Sequence, residues 1–126
     1  MKVPLSAFCA IGLAALVGCS RSPYVPVTGR VTLDGKPLPN ALVEFHPENL
    51  RCSFGTTNDN GEYRLVHLDD SAGARIGVNT VRIRTAGFTE DLRAVERVPK
   101  KYNSESILIR EVTADSTTFD FELTTR

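Results

Sequence analysis

The side chains that could do chemistry in this chain are a thiol, two imidazoles and a scatter of carboxylates. Cys52 follows His46 by six residues and precedes His67 by fifteen, with Asp69 and Asp70 close behind. A cysteine, a histidine and an aspartate are the types that make a nucleophile, its base and an orienting acid. No local nucleophile motif surrounds Cys52, and cysteines outside disulfides are among the most buried residues. Cys52 is therefore expected to be a packing residue in a domain without a catalytic site. His46 and His67 lack the H-x-x-x-H or H-E-x-x-H spacing that seats a metal ion, so no metal ligands are assigned and both are expected to be solvated or hydrogen-bonded. Asn58-Asp59-Asn60-Gly61 has the oxygen-rich composition of a calcium loop. It is short, lacks a closing glutamate at the EF-hand distance, and consists of the residues that tight turns also require. Asp69 and Asp70 are adjacent, which defines no cleft of the kind paired-carboxylate glycoside hydrolysis needs. The sequence calls for no cofactor and assigns no ligand-binding residue.

A different chemistry belongs to Cys19. Leu16-Val17-Gly18-Cys19 closes an apolar run that begins just after Met1 and Lys2. A basic start, an apolar segment and a small residue before the cut make a secretory signal. The run is shorter than the roughly 20 residues that span a bilayer, and it contains Pro4 and Gly12. With a cysteine at the cut it resembles the lipobox of bacterial lipoproteins. The resemblance implies that residues 1–18 are removed, that the Cys19 thiol receives a diacylglycerol, and that the new amine is acylated with a fatty acid such as palmitate. Two or more chains, at about 0.8 kcal/mol per buried methylene, anchor a protein to a membrane without spanning it. Ser20 stands where an aspartate would retain such a lipoprotein at the inner membrane, which points to the outer membrane or cell surface. Cys9 leaves with the signal and Cys19 takes lipid, so Cys52 has no partner for an intramolecular disulfide.

Charge narrows the partners. The chain has fifteen basic and fifteen acidic residues, and removal of Lys2 leaves it slightly acidic. Nucleic-acid binders show a strongly basic face. Here only Arg93, Arg97, Lys100 and Lys101 cluster, diluted by Glu90, Asp91 and Glu96, and this quartet reads as a solvated face. No nucleic acid is expected. After the signal, residues 19–26 form a tether stiffened by Pro23 and Pro26, and residues 27–126 suffice for one small domain.

That domain must position its side chains with strands. Residues 27–33 alternate, with Val27, Gly29, Val31 and Leu33 on one face, and Asp34-Gly35 marks a tight reversal. Residues 41–45 point Ala41, Val43 and Phe45 inward and leave Leu42, Glu44 and His46 on the other face. Residues 52–57, with Cys52 and Phe54 sharing one parity, are joined through Asn58–Gly61 to residues 62–68, where Tyr63 and Leu65 point inward and Gly61 takes the left-handed conformation. Residues 78–85 bury Val81 and Ile83. Residues 107–112 place Leu108 and Val112 on one face and Ile107 and Ile109 on the other, so one apolar pair faces outward. Residues 117–124 show the clearest alternation, Phe119, Phe121 and Leu123 against Thr118, Asp120 and Glu122. Between them Phe88, Leu92, Val95 and Val98 recur at helical spacing, capped by Thr89 and limited by Pro99 to about two turns. The expectation is an all-β fold, an antiparallel Greek-key β-sandwich of about seven strands with one long connection at residues 88–98 spaced for a short helix.

Two stretches carry a family resemblance. V-T-G-R-V-T-L-D-G-K-P-L-P-N-A at residues 27–41 and T-N-D-N-G-E-Y-R-L at residues 57–65 resemble the signatures of the carboxypeptidase regulatory-like domain, a prealbumin (transthyretin-like) sandwich. V-P-K-K-Y-N at residues 98–103, followed by F-D-F-E-L at residues 119–123, is similar to small lipoproteins of planctomycete bacteria. The resemblance implies an exported, non-catalytic module of the cell envelope and supplies no ligand. Two functional classes follow: an interaction or structural module contacting an envelope protein or polysaccharide, and a small-ligand binder for carbohydrate or calcium on loops at one end. Exposed Tyr24, Tyr102 or Phe88 beside a groove would favour the sugar platform, and their burial the structural module. Mass spectrometry of the membrane fraction is expected to find a mature chain that begins at an acylated Cys19. A mature protein that keeps Met1, or carries no lipid, would contradict the reading.

Overall fold

Alternation of apolar and polar residues sets the strands, and cross-strand register decides which face each side chain takes. The structure, a computed structural model, describes residues 22–67 and 73–126. In chain order its strands are β1 (Tyr24–Val25), β2 (Thr28–Leu33), β3 (Lys36–Pro37), β4 (Leu42–Pro47), β5 (Ser53–Thr56), β6 (Glu62–Arg64), β7 (Val66–His67), β8 (Ala74–Arg75), β9 (Gly77–Arg84), β10 (Leu108–Val112) and β11 (Phe121–Leu123). A five-stranded sheet runs β10-β9-β4-β5-β7. In a four-stranded sheet β2 is flanked by β11 and β3 and also pairs with β6, and β1 pairs with β8 in a two-stranded ribbon. The protein is all-β, with a single 3-10 turn at Lys100–Tyr102 among the described residues.

β4 lies inside the larger sheet, and its register with β9 sets Val43 opposite Ile83 and Phe45 opposite Val81. These four face inward and are fully buried, in one cluster with Val31, Tyr63, Leu65, Phe121 and Leu123. The Phe45 ring meets Phe119 at 5.7 Å and Phe121 at 6.2 Å between centroids, within the range of favourable aromatic pairs. The apolar side chains expected inward from alternation are buried, except Leu33 and Phe119, which are half-buried and pack against the cluster. Asp120 and Glu122 are exposed, so the register expected for residues 119–123 holds. The hydroxyl of Tyr63 donates to the Phe119 carbonyl at 2.6 Å. That approach needs Gly29, because a Cβ there would overlap the same carbonyl oxygen and crowd the Tyr63 hydroxyl. At the β2–β3 reversal Asp34 and Gly35 take φ of 51° and 83°, the paired positive values of a tight hairpin turn.

Several expectations need correction. The described residues hold eleven strands rather than about seven, because short ribbons form where only continuous alternation was counted. One pairing is parallel: β11 lies beside β2 with Phe121 opposite Val31 and Leu123 opposite Leu33. The run expected as one strand at residues 62–68 divides at buried Leu65. β6 pairs with β2 in one sheet, and β7 pairs with β5 in the other. Two residues of the expected tether, Tyr24 and Val25, instead pair with β8 and half-bury themselves. Residues 88–98 form no helix. Leu92 is 96% exposed, and the segment is tied down by one carboxylate: Glu96 Oε2 accepts the Thr85 amide at 2.8 Å and the Val98 amide at 3.1 Å. The Thr85 hydroxyl accepts the Arg97 amide at 2.7 Å. Those side-chain bonds replace the i to i−4 ladder. Leu42, expected outward, is buried; it stands opposite Thr56, which lines a groove with Phe88 and Val95 of the long connection. The signal, residues 1–18, lies outside the described residues, as do Leu68, Asp69 and Asp70.

In urea denaturation, Phe45→Ala is expected to cost about 3–5 kcal/mol, the range for deleting a buried aromatic. Ile109→Thr on the outer face should stay within about 0.5 kcal/mol. Equal effects would contradict the assignment of faces.

Candidate functional site

Strand parity brings a small cluster of donor atoms to the outer face of the five-stranded sheet. Glu44 and His46 stand two apart on β4, so they share that face. β5 runs antiparallel to β4 with Glu44 opposite Phe54 and Phe45 opposite Ser53. Continued by one step, this register sets Cys52 across from His46. The ligand atoms of Glu44, His46 and Cys52 all lie within 4.8 Å of one another. His46 Nε2 is 3.4 Å from Glu44 Oε1, and Arg84 Nη2 is 3.8 Å from Glu44 Oε2.

The cluster has a definite electrostatic sense. The hydrogen bond from His46 holds the Glu44 carboxyl below the usual carboxylate range, with Arg84 assisting and burial opposing. Burial, and after it the charge of Glu44, push the Cys52 thiol up. The thiol is therefore a poor nucleophile at neutral pH. This corrects the expectation that Cys52 packs in the core: the inward positions of β5 are Ser53 and Gly55, and Cys52 is half-buried on the opposite side. Sequence reasoning placed Glu44 and His46 on one face but missed Glu44 as a partner of Cys52. The signal was present as E-x-H followed by a cysteine six residues on, which becomes a cluster only when the β4–β5 register is known.

Beside the cluster the same face opens into a groove of about 690 Å³ lined by His46, Leu50, Ile76, Val78, Thr80 and Arg82. Beyond it lies edge strand β10, paired among the described residues with β9 alone. Of the two apolar pairs that alternation left open, the outward one is Ile107, just before β10, and Ile109: Ile107 is 68% and Ile109 59% accessible, and Val78 on β9 is 61% accessible. Ile109 sits opposite Thr80 and Glu111 opposite Val78, so Ile109 and Val78 are diagonal neighbours. Diagonal side chains of this size remain within reach of each other.

The other candidates are occupied within the fold. Asn58 Oδ1 accepts the amides of Asn60 and Glu62, both at 2.9 Å, and Gly61 has φ of 78°. The loop resembling a calcium site thus uses its first oxygen to close its own turn. His67 Nε2 lies 3.3 Å from the Tyr24 hydroxyl, with the rings 4.7 Å apart. Tyr102 is buried, and its hydroxyl accepts the Thr124 amide at 3.3 Å. Phe88 is half-buried with Arg84 above its ring. In the basic quartet, Arg97 donates to the Pro39 carbonyl at 3.3 Å and Lys101 to the Arg126 carbonyl at 2.7 Å. Cys19, Asp69 and Asp70 lie outside the described residues. Comparison of the chain with protein-family models, with curated proteins and with solved structures finds no match.

A raised folded-state thiol leaves less thiolate at neutral pH than a free cysteine has. With chelator present, Cys52 of the native chain should alkylate more slowly than in the unfolded chain, with its rate profile displaced to higher pH. Glu44→Gln removes the second cause and should move the profile back down. Peptide-resolved alkylation across pH checks this, and a native profile at or below that of the unfolded chain would contradict it.

Proposed function

We propose that this protein is a non-catalytic, lipid-anchored module of the bacterial cell envelope, at the outer membrane or cell surface, which contacts an envelope protein through the outer face of its five-stranded sheet. The observation that carries the reading is the open aliphatic surface of Val78, Ile107 and Ile109 beside the groove lined by Leu50 and Ile76. Contiguous apolar surface on a folded domain marks an interaction site. Its chemistry favours protein over polysaccharide. Sugar platforms stack rings on exposed aromatics, whereas Tyr102 is buried and the large exposed side chains of this face are aliphatic. The burial and neighbouring Glu44 charge that push the Cys52 thiol up support the non-catalytic reading, and the lipobox ending at Cys19 supports the anchor.

For the fold we propose the carboxypeptidase regulatory-like, prealbumin-type sandwich that residues 27–41 and 57–65 resemble, with Greek-key connections. It is supported by the contact of Phe45 with Phe119 and Phe121 across the two larger sheets, and by the exchange of the chain between those sheets at Leu65. The parallel β2–β11 pairing stands apart from an all-antiparallel plan.

Val78→Lys combined with Ile109→Lys tests the interaction reading. Both positions are exposed, so the variant should keep wild-type circular dichroism and membrane partitioning. Crosslinking in intact envelopes should give the wild-type chain an adduct with a distinct protein and the variant none. An unchanged adduct, or adducts with polysaccharide alone, would contradict the proposal.

A further inference from the structure

We propose that Glu44, His46 and Cys52 bind one divalent transition-metal ion of the zinc class. The inference stands on the β4–β5 hairpin and is independent of the docking surface and its partner. Imidazole nitrogen, thiolate sulfur and carboxylate oxygen are the donors zinc takes, at about 2.0–2.1, 2.3 and 2.0–2.2 Å. Tetrahedral coordination at those lengths separates neighbouring donors by about 3.3–3.8 Å. Glu44 Oε1 and His46 Nε2 are 3.4 Å apart, already at that spacing, and no pair in the cluster exceeds 4.8 Å. The remaining distances need to close by about 1 Å, which side-chain torsions within a rotamer well supply.

The framework is that of a built site rather than a chance surface cluster. β4, which carries two of the ligands, is paired on both sides, by β5 and β9. The third ligand immediately precedes β5, across from His46 when the β4–β5 register is continued by one step. Donors on paired strands hold their geometry better than donors on loops. Arg84 engages Glu44 Oε2 and leaves Oε1 turned toward His46, as outer-shell partners orient ligating carboxylates. The carboxylate charge of Glu44 favours a cation within the cluster. A donor set containing thiolate and imidazole selects zinc or copper over magnesium or calcium. Three protein ligands leave a fourth position. His46 also lines the groove with Thr80 and Arg82, so that position is open to water or to a donor from another molecule.

The test uses the full-length chain purified in detergent, stripped with chelator and titrated with Co²⁺. One equivalent should bind with a thiolate-to-cobalt charge-transfer band that Zn²⁺ then bleaches. Cys52→Ser should lose the band, while His46→Ala and Glu44→Gln should each weaken Co²⁺ binding by at least about tenfold, no less than the loss of an outer-shell partner costs. Should Cys52→Ser fail to fold, the unmutated chain gives the same answer: Zn²⁺, but not Mg²⁺, should protect the Cys52 peptide from alkylation. Binding without a thiolate band, a band that survives in Cys52→Ser, or Cys52 alkylation indifferent to Zn²⁺ would each overturn the assignment.

Discussion

Everything on the outer face of this protein depends on one buried contact, Phe45 against Phe119 and Phe121. Phe45 stands between Glu44 and His46, so burying its ring in the cluster fixes both neighbours outward. A one-residue slip of β4 would send the carboxylate and the imidazole into the core and the phenyl ring to solvent. Charged groups without partners do not survive such burial. Packing inside the molecule therefore specifies the chemistry outside it. The same contact joins the two larger sheets, since Phe45 belongs to one and Phe121 to the other.

The domain has Cys52 as its one described thiol, so polar side chains supply constraints that crosslinks give in small disulfide-bonded domains. Tyr63 pins the segment before β11 through the Phe119 carbonyl, and burial, with the nearby charge of Asp120, holds its hydroxyl protonated far above the usual tyrosine range. Thr57 is buried, donates to the Leu38 carbonyl at 2.6 Å and accepts the Ala41 amide at 2.9 Å. Glu96 and Thr85 do the same for the long connection. Each satisfies backbone groups that irregular chain would otherwise leave unpaired in or near the core.

Much of this was legible in the sequence because strand period is a local property. The inward positions from Val31 to Phe121 and the turns at Asp34-Gly35 and Asn58–Gly61 follow from alternation and turn chemistry, whereas alternation over residues 107–112 called for one outward apolar pair without choosing it, and the fold selects Ile107 and Ile109. Other features depend on distant partners, and no local pattern reports them. The parallel placement of β11 on β2 joins residues some ninety positions apart. Helical spacing at Leu92 and Val95 misled because both side chains are exposed among the described residues, and Glu96 satisfies the backbone by another route. Cys52 and Glu44 became neighbours only through hairpin register. Thr57 was legible only as the end of the strand at residues 52–57, and its bonds to the Leu38 and Ala41 backbone depend on residues distant in the chain.

The resulting account is of a small β domain whose interior is consumed by its own stability and whose open sheet face is available for contact. An edge strand with outward isoleucines is ordinarily a liability, moderated here by Arg110 and Glu111 within the same strand. Its persistence fits a surface covered in place. Hydrogen–deuterium exchange, measured on the chain in an envelope fraction, where the proposed function places it, and again after purification, tests this most directly. The account predicts that amides of residues 76–80 and 107–112 exchange more slowly in the envelope, while those of β2 and β6 are unchanged. Equal exchange of the β9–β10 edge in both settings would contradict it.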